Sequence, residues 1–219
     1  ILLKLYRATL TENQWTNITE LPFNSNNYSV AHPALSRDEK TLYFASDMPG
    51  TYGQSDIFKV EIQSDGNYGT PQNLGNVINT EGRETFPFVA DNELYFASDG
   101  HPGLGGLDVF VSKTQKNGSY NEVINVGEPI NTSKDDFAFI INNSTRLGYV
   151  TSNREGGKGS DDIYKFKETK KLVCEQLLSV VVIDKETGLI IANAKVTLTD
   201  SSYNTLAEKM TDSEGKVDF

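Results

Sequence analysis

Cysteine and histidine are scarce in this chain, and it has no long hydrophobic run. The single cysteine, Cys174, excludes an internal disulfide framework, and without a nearby cysteine or histidine it is predicted to fill a small apolar space. The longest apolar run, residues 177–183, is far shorter than the roughly 20 residues of a transmembrane helix. Only His32 and His101 could serve as histidine bases, so the sequence offers little for nucleophilic catalysis.

Basic residues are also in short supply. The chain has 20 Lys and Arg against 30 Asp and Glu, a net charge of −10. A nucleic-acid-binding surface needs a basic stripe, so nucleic acid is not an expected partner. The hydrophobic fraction of 37% predicts a soluble globular protein. Because the chain lacks an initiator Met and stops within a strand-like pattern, we expect a fragment from which any signal sequence has been removed.

What the chain does contain is an internal repeat. FASDMPGTYGQSDIF begins at Phe44, FASDGHPGLGGLDVF at Phe96 and VTSNREGGKGSDDIY at Val150, which gives offsets of 52 (96 − 44) and 54 (150 − 96) residues. A second block precedes each copy, as LPFNS at Leu21, GNVINT at Gly75 and GEPINT at Gly127. Repeats of this length indicate one supersecondary unit per copy.

Each copy predicts about four short antiparallel strands, because aromatic and β-branched segments alternate with polar turns and no helical period is present. This is typical of a β-propeller blade, so the predicted fold class is all-β. We predict the end of a preceding blade at 1–20 and complete blades at about 21–74, 75–126 and 127–172. Since propellers close with about four to eight blades, the ring should be incomplete in this fragment.

The repeat resembles the WD-repeat-like propeller unit of TolB-type proteins. In the first copy the matching residues include Pro33, Ser36 and Asp38, then Ser46-Asp47 and Asp56-Ile57-Phe58, whereas Glu39 replaces the usual glycine. Residues 177–219 lack the repeat and resemble the N-terminal part of a carboxypeptidase-regulatory-like domain, a small β-sandwich. That match rests on Asp184, Thr187, Gly188, Ala194, Val196, Leu198, Thr211, Asp212, Gly215 and Phe219.

The order of these two parts resembles OmpA-family cell-envelope proteins of Bacteroidetes, some of which are linked to type IX secretion and gliding. The resemblance implies a periplasmic, outer-membrane-associated location and protein partners in the envelope. It implies contact with peptidoglycan only through a domain outside this chain. From it we expect a non-enzymatic scaffold or protein-interaction module. The alternative is a propeller enzyme, or a binder of a small ligand or carbohydrate, that uses the mouth of the central channel.

The repeat loops gather polar residues that could form a site. Because the same loop occurs in every copy, we interpret it as structural, with Asp and Ser binding loop N–H groups and glycines taking backbone conformations that other residues resist. A calcium site is the alternative. The structural repeat-loop residues are Ser46, Asp47, Gly53, Asp56, Ser98, Asp99, Gly105, Asp108, Ser152, Asn153, Gly159 and Asp162.

No catalytic, cofactor-binding or metal residue is predicted elsewhere. The glycines of GHPGLGGLD, from Gly100, precede a strand, whereas a dinucleotide fingerprint precedes a helix. His32 lies beside Pro33 and is expected near the central channel, while His101 lies in a Gly/Pro loop. Acidic pairs such as Asp135-Asp136 fall in predicted turns, so acid–base chemistry finds no support in the pattern.

Overall fold

The computed structural model describes residues 1–170, 178–199 and 203–219. The described residues form strands and no α-helix, so none of them forms a helix that could cross a membrane. The chain divides into two compact units, Ile1–Lys171 and Leu172–Phe219. Cys174 and the start of the second predicted domain lie outside the described residues.

The first unit begins with a hairpin. Strands β1 (Tyr6–Thr11) and β2 (Gln14–Glu20) pair antiparallel around Glu12 and Asn13, which have φ values of 49° and 62°. Two consecutive left-handed residues are typical of the type I′ turn, whose twist suits a two-residue hairpin loop.

Two four-stranded antiparallel sheets follow, which we call blade 1 and blade 2. Each has its strands in chain order, joined by hairpins, as predicted. The innermost strand of each blade is its first strand in the chain, and the two innermost strands contact each other. Blade 1 contains β3 (Val30–Leu35), β4 (Thr41–Ser46), β5 (Asp56–Glu61) and β6 (Gln72–Asn73); blade 2 contains β7 (Glu84–Ala90), β8 (Glu93–Ser98), β9 (Asp108–Lys113) and β10 (Ile124–Asn125).

Within the described residues, blade 3 is a three-stranded sheet. The sequence predicted a fourth strand for this blade, and the end of that predicted blade lies outside the described residues. Blade 3 contains β11 (Asp136–Ile141), β12 (Leu147–Ser152) and β13 (Asp162–Lys167). In blades 1 and 2 a glycine with positive φ, Gly66 or Gly118, turns the chain back toward the fourth strand.

The hydrophobic core lies between neighbouring blades. One buried cluster joins Tyr43 and Ile57 of blade 1 to Phe96 and Phe110 of blade 2. Another joins blade 2 to blade 3 through residues such as Val109 and Phe139, with Tyr95 and Phe139 stacked at 4.6 Å. Sheets that pack face to face in sequence order, with their central strands buried on both sides, form the arrangement of a β-propeller.

The described residues of the second unit form two small antiparallel strand pairs. One consists of β14 (Ser179–Val181) and β17 (Lys216–Asp218), and the other of β15 (Lys195–Thr199) and β16 (Thr205–Met210). Asp184 organises the turn after β14 by accepting hydrogen bonds from Thr187 N–H and Oγ1, both at 2.7 Å. The sandwich assignment for this segment stays a prediction.

Candidate functional site

The second Asp of each repeat loop binds the backbone of its own loop. Its carboxylate accepts N–H groups three and four residues earlier, so the side chain closes the loop that precedes the third strand of the blade. The donors are Tyr52 and Gly53 for Asp56, Leu104 and Gly105 for Asp108, and Lys158 and Gly159 for Asp162, at 2.7–3.4 Å.

The Ser of each loop also has a local partner. Ser46 Oγ donates to the Ser29 carbonyl at 2.6 Å and accepts from Met48 N–H. Ser98 Oγ donates to Glu84 Oε1 at 2.6 Å, whereas Ser152 Oγ accepts from Arg154 N–H. All three serines are buried, so none is presented as an exposed nucleophile.

The residue after each Ser fixes the start of the innermost strand in the same blade. Asp47 Oδ1 accepts from Ser29 N–H at 2.6 Å, and Asp99 Oδ1 accepts from Arg83 N–H at the same distance. In blade 3, Asn153 Oδ1 accepts from Asp135 N–H at 2.8 Å. Asp and Asn can replace each other here because both offer a carbonyl-type oxygen to one backbone donor.

The explanation of the repeat-loop glycines needs correction. The positive φ values belong to other loop glycines, such as Gly50 and Gly156, and not to Gly53, Gly105 or Gly159. A Cβ atom at Gly53 would lie 2.4 Å from the Gly82 carbonyl oxygen, and one at Gly105 would lie 2.1 Å from the Lys134 carbonyl oxygen. These two glycines are therefore required by the close approach of the next blade.

Two buried carboxylates, Glu84 and Asp136, complete this network. The sequence did not single out Glu84, and the expectation that Asp136 lies in a turn is wrong, because it is a buried strand residue. Glu84 and Asp136 are the first residues of β7 and β11. Thr80 donates its N–H and its hydroxyl to Glu84, and Thr132 does the same to Asp136, at 2.6–2.8 Å. The signal that could have found them is the Thr four residues earlier, at the end of each INT block.

Asp108 differs from its counterparts in having a buried oxygen without a partner. Its Oδ1 makes no hydrogen bond, although Oδ2 accepts two loop N–H groups. Burial raises the pKa of the Asp108 carboxyl, and the nearby charges of Asp136 and Asp135 raise it further. In blade 1 the corresponding Asp56 Oδ2 accepts an additional hydrogen bond from Asn73 Nδ2 at 2.6 Å.

The innermost strands share a bulge at which the residue differs from blade to blade. His32, Phe86 and Ala138 have φ values of 52°, 48° and 50°, and the strand register shifts at each of them. The rings of His32 and Phe86 stack at 3.8 Å, and Phe86 lies 5.0 Å from Phe137. Strand β3 contacts β7, which contacts β11, so the bulges form one row that we call the bulge row.

Solved structures that resemble this chain do so at low sequence identity and low TM-score. A putative TolB from Agrobacterium tumefaciens has 13% identity and a TM-score of 0.44, covering 98% of this chain and 68% of that one. A prolyl endopeptidase structure has 11% identity and a TM-score of 0.45, covering 85% of this chain and 26% of that one. At these scores the similarity adds nothing to the fold assignment, which rests on strand order and packing. No protein-family profile and no curated protein matches the chain.

The two histidines occupy different environments. His101 Nε2–H donates to the Ile78 carbonyl at 2.8 Å, and its ring packs against Phe96 and Phe110. His32 is half-buried in the bulge row, with Nδ1 2.5 Å from Thr85 Oγ1, and burial lowers its pKa. His32 therefore favours the neutral form and presents a flat ring to its surroundings.

Most polar residues of the repeat loops are already engaged in hydrogen bonds, and one set of positions varies between the blades. Within the described ranges, no three His, Cys, Asp or Glu side chains are grouped so that they could hold a metal ion. The repeat-loop carboxylates bind backbone donors, and the serines are buried. What remains variable and half-exposed is the bulge row.

Proposed function

We propose that the propeller unit is a non-enzymatic protein-interaction module. The observation that carries this proposal is the contrast between constant and variable positions. The polar residues that repeat are engaged in bonds that hold loops and blades together, whereas the bulge row changes from His32 to Phe86 to Ala138 at one structural position. A surface that differs from blade to blade on a constant frame suits recognition of one particular partner.

We further propose that the module belongs to an OmpA-family envelope protein of Bacteroidetes and works in the periplasm, associated with the outer membrane. The support is the order of the propeller repeats and the segment with Asp184, Thr187 and Gly188. In this proposal the second unit is a spacer toward an anchoring domain, and the assembly it serves is a secretion or gliding apparatus. Cell fractionation tests the location, and recovery in the cytoplasmic fraction would contradict it.

Site-specific photo-crosslinking tests the interaction. A photoreactive amino acid replaces Ala138, which lies in the bulge row, and in a control it replaces Lys113, an exposed residue at the end of β9. We expect a discrete crosslinked protein partner from position 138 and none from position 113. Equal crosslinking from both positions would mean that the bulge row is not the interaction surface.

A second candidate function is supported by three rings that lie in the bulge row or directly beside it. His32, Phe86 and Phe137 offer flat faces of the kind on which planar ligands and sugars stack. This alternative predicts that the purified protein binds or converts a small molecule or carbohydrate, and that Phe137→Ala weakens binding about tenfold, the loss of one aromatic contact. Turnover of a glycan that disappears in His32→Ala would replace our proposal by this one.

A further inference from the structure

One hydrogen-bonding arrangement occurs at all three junctions between successive blades. An asparagine from the segment that leads into a blade binds both the N–H and the C=O of one residue in the third strand of the preceding blade. At the first junction, between the initial hairpin and blade 1, the bound residue is Leu5, which directly precedes β1. We call this arrangement the asparagine joint. The pairs are Asn24 with Leu5, Asn79 with Ile57 and Asn131 with Val109, at distances of 2.6–3.0 Å.

A backbone bond accompanies each asparagine joint. The N–H of the first residue of the innermost strand donates to the carbonyl two residues before the clamped position. The donor–acceptor pairs are Val30–Leu3, Glu84–Ser55 and Asp136–Leu107, at 2.6–2.9 Å. Each junction is therefore held by hydrogen bonds at two places. These bonds use four backbone groups, and they add to the packing of the core.

The residue that each asparagine binds is buried. Leu5 is 9% exposed, and Ile57 and Val109 are 0% exposed, because their side chains face the next sheet. Burial without the asparagines would leave the backbone N–H of each of these residues unpaired, which is rare in native proteins. Each carbonyl also accepts a backbone N–H, from Leu21, Leu74 or Val126.

Blade 3 contains the position at which a fourth asparagine joint would form. The residue equivalent to Val109 is Ile163, 54 residues further on (109 + 54 = 163), and it is 74% exposed. Tyr149 is 43% exposed, whereas its counterparts Tyr43 and Tyr95 are 8% and 3% exposed. Within the first unit, the face of blade 3 that corresponds to the buried faces of blades 1 and 2 therefore has no described sheet packed on it.

Gly159 gives independent support for a missing neighbour. At its counterparts Gly53 and Gly105 a Cβ atom would collide with the backbone of the next blade, at 2.4 and 2.1 Å. At Gly159 the nearest atom to such a Cβ is the Asp161 carbonyl oxygen at 3.4 Å, and φ is not positive. Nothing in the described structure requires glycine here, so the glycine fits a backbone that approaches from outside it.

We propose that the open face of blade 3 receives another blade of the same propeller, whose leading segment lies outside these 219 residues and places an asparagine on Ile163. A second copy of the chain is a poorer occupant, because its motif asparagines, Asn24, Asn79 and Asn131, are each engaged in a joint of their own. We infer the identity of the occupant from the repeated geometry of the joints and not from charge.

Cysteine labelling tests the open face directly. Ile163→Cys and Lys167→Cys are made separately with Cys174→Ser, in the 219-residue chain and in the polypeptide with its natural flanking sequence. Lys167 is the matched control because its counterparts Glu61 and Lys113 are exposed in blades with a neighbour. N-ethylmaleimide should label position 163 about tenfold or more slowly in the longer protein, since it must wait for local opening, and position 167 equally in both.

Glycine substitutions provide the second readout. Gly159→Ala should leave the melting temperature of the 219-residue chain unchanged and lower that of the longer protein, whereas Gly105→Ala should lower both. Replacing the aligned asparagine of the flanking segment by Ala should restore fast labelling at position 163. Equal labelling in the two proteins, protection that appears in the 219-residue chain as its concentration rises, or a natural polypeptide without such an asparagine would each overturn the proposal.

Discussion

Asp56 and Asp108 occupy the same place in blades 1 and 2, and one neighbouring amide separates their behaviour. Asn73 Nδ2 donates to Asp56 Oδ2, whereas the equivalent Asn125 Nδ2 contacts the Pro102 carbonyl at 3.4 Å. Asp108 Oδ1 is left buried and without a partner. A buried charge with incomplete hydrogen bonding costs stability, so Asp108 is a weak point in a network that is well satisfied at Asp56.

Asp108→Asn should raise the melting temperature at neutral pH by a few degrees. The amide oxygen can still accept the Leu104 and Gly105 N–H groups, while the buried charge near Asp135 and Asp136 disappears. Because folding raises the Asp108 pKa, the stability that this carboxyl contributes is present below the unfolded pKa and is lost as pH rises through the folded pKa. The advantage of the variant over the wild type should therefore grow from acidic to neutral pH.

Asp56→Asn is the control for this prediction, since it weakens charge-assisted bonds from Tyr52 and Asn73 and should cost about 1–2 kcal/mol. Thermal unfolding of both variants across the pH range measures the difference. Equal destabilisation by the two substitutions would show that the unpartnered oxygen has no energetic consequence.

At the scale of the element, the innermost strands are bent by the same device in every blade. His32, Phe86 and Ala138 all adopt left-handed backbone conformations, which cost a residue with a Cβ about 1 kcal/mol or more. Each bulge inserts one extra residue into the inner strand. That residue is the member of the bulge row that the blade contributes. Strain at three equivalent positions indicates that the bulge is a constant part of the blade.

Ala138→Gly should stabilise the protein by about 0.5 kcal/mol, because glycine adopts positive φ without strain. The matched substitution Ala97→Gly, in the regular buried strand β8, should cost about 1–2 kcal/mol through lost packing and chain entropy. Urea denaturation of the two variants gives both values, and the shared Ala→Gly change cancels most of the effect on the unfolded chain. A loss of stability at position 138 as large as that at position 97 would contradict the strain argument.

At the scale of the whole molecule, the blades are held by apolar packing between sheets and by the asparagine joints. Leu74 and Val126 also donate their N–H groups to the carbonyls that Asn79 and Asn131 bind, so each joint ties together two strands of one blade and the segment leading to the next. A failure at one joint should therefore weaken the contact between two blades and not a single loop.

Asn131→Ala should lower the free energy of unfolding by about 2 kcal/mol, because it leaves the buried N–H of Val109 unpaired and removes one of the two hydrogen bonds to the Val109 carbonyl. Asn117→Ala is the matched control, since Asn117 binds only Ser119 in an exposed turn and should cost less than about 1 kcal/mol. Chemical denaturation measures both. Similar losses in the two variants would remove the joint from the account of blade assembly.

The repeat could be found in the sequence because its spacing follows the strand pattern. The segments beginning at Phe44 and Phe96 predicted the all-β class and four-stranded antiparallel blades, and these predictions are confirmed. The asparagines of the INT blocks were visible, but their partners were not. Ile57 and Val109 lie 22 residues away from them, and only packing brings such distant positions together.

The sequence by itself determined the length and order of the strands, because hydrophobic alternation and turn residues act over a few neighbouring positions. Only the tertiary structure decided why Gly53 and Gly105 are glycines, why Glu84 and Asp136 are buried as acids, and where the inner strands bulge. These features depend on how closely one blade approaches the next, and that distance is set by contacts between segments far apart in the chain.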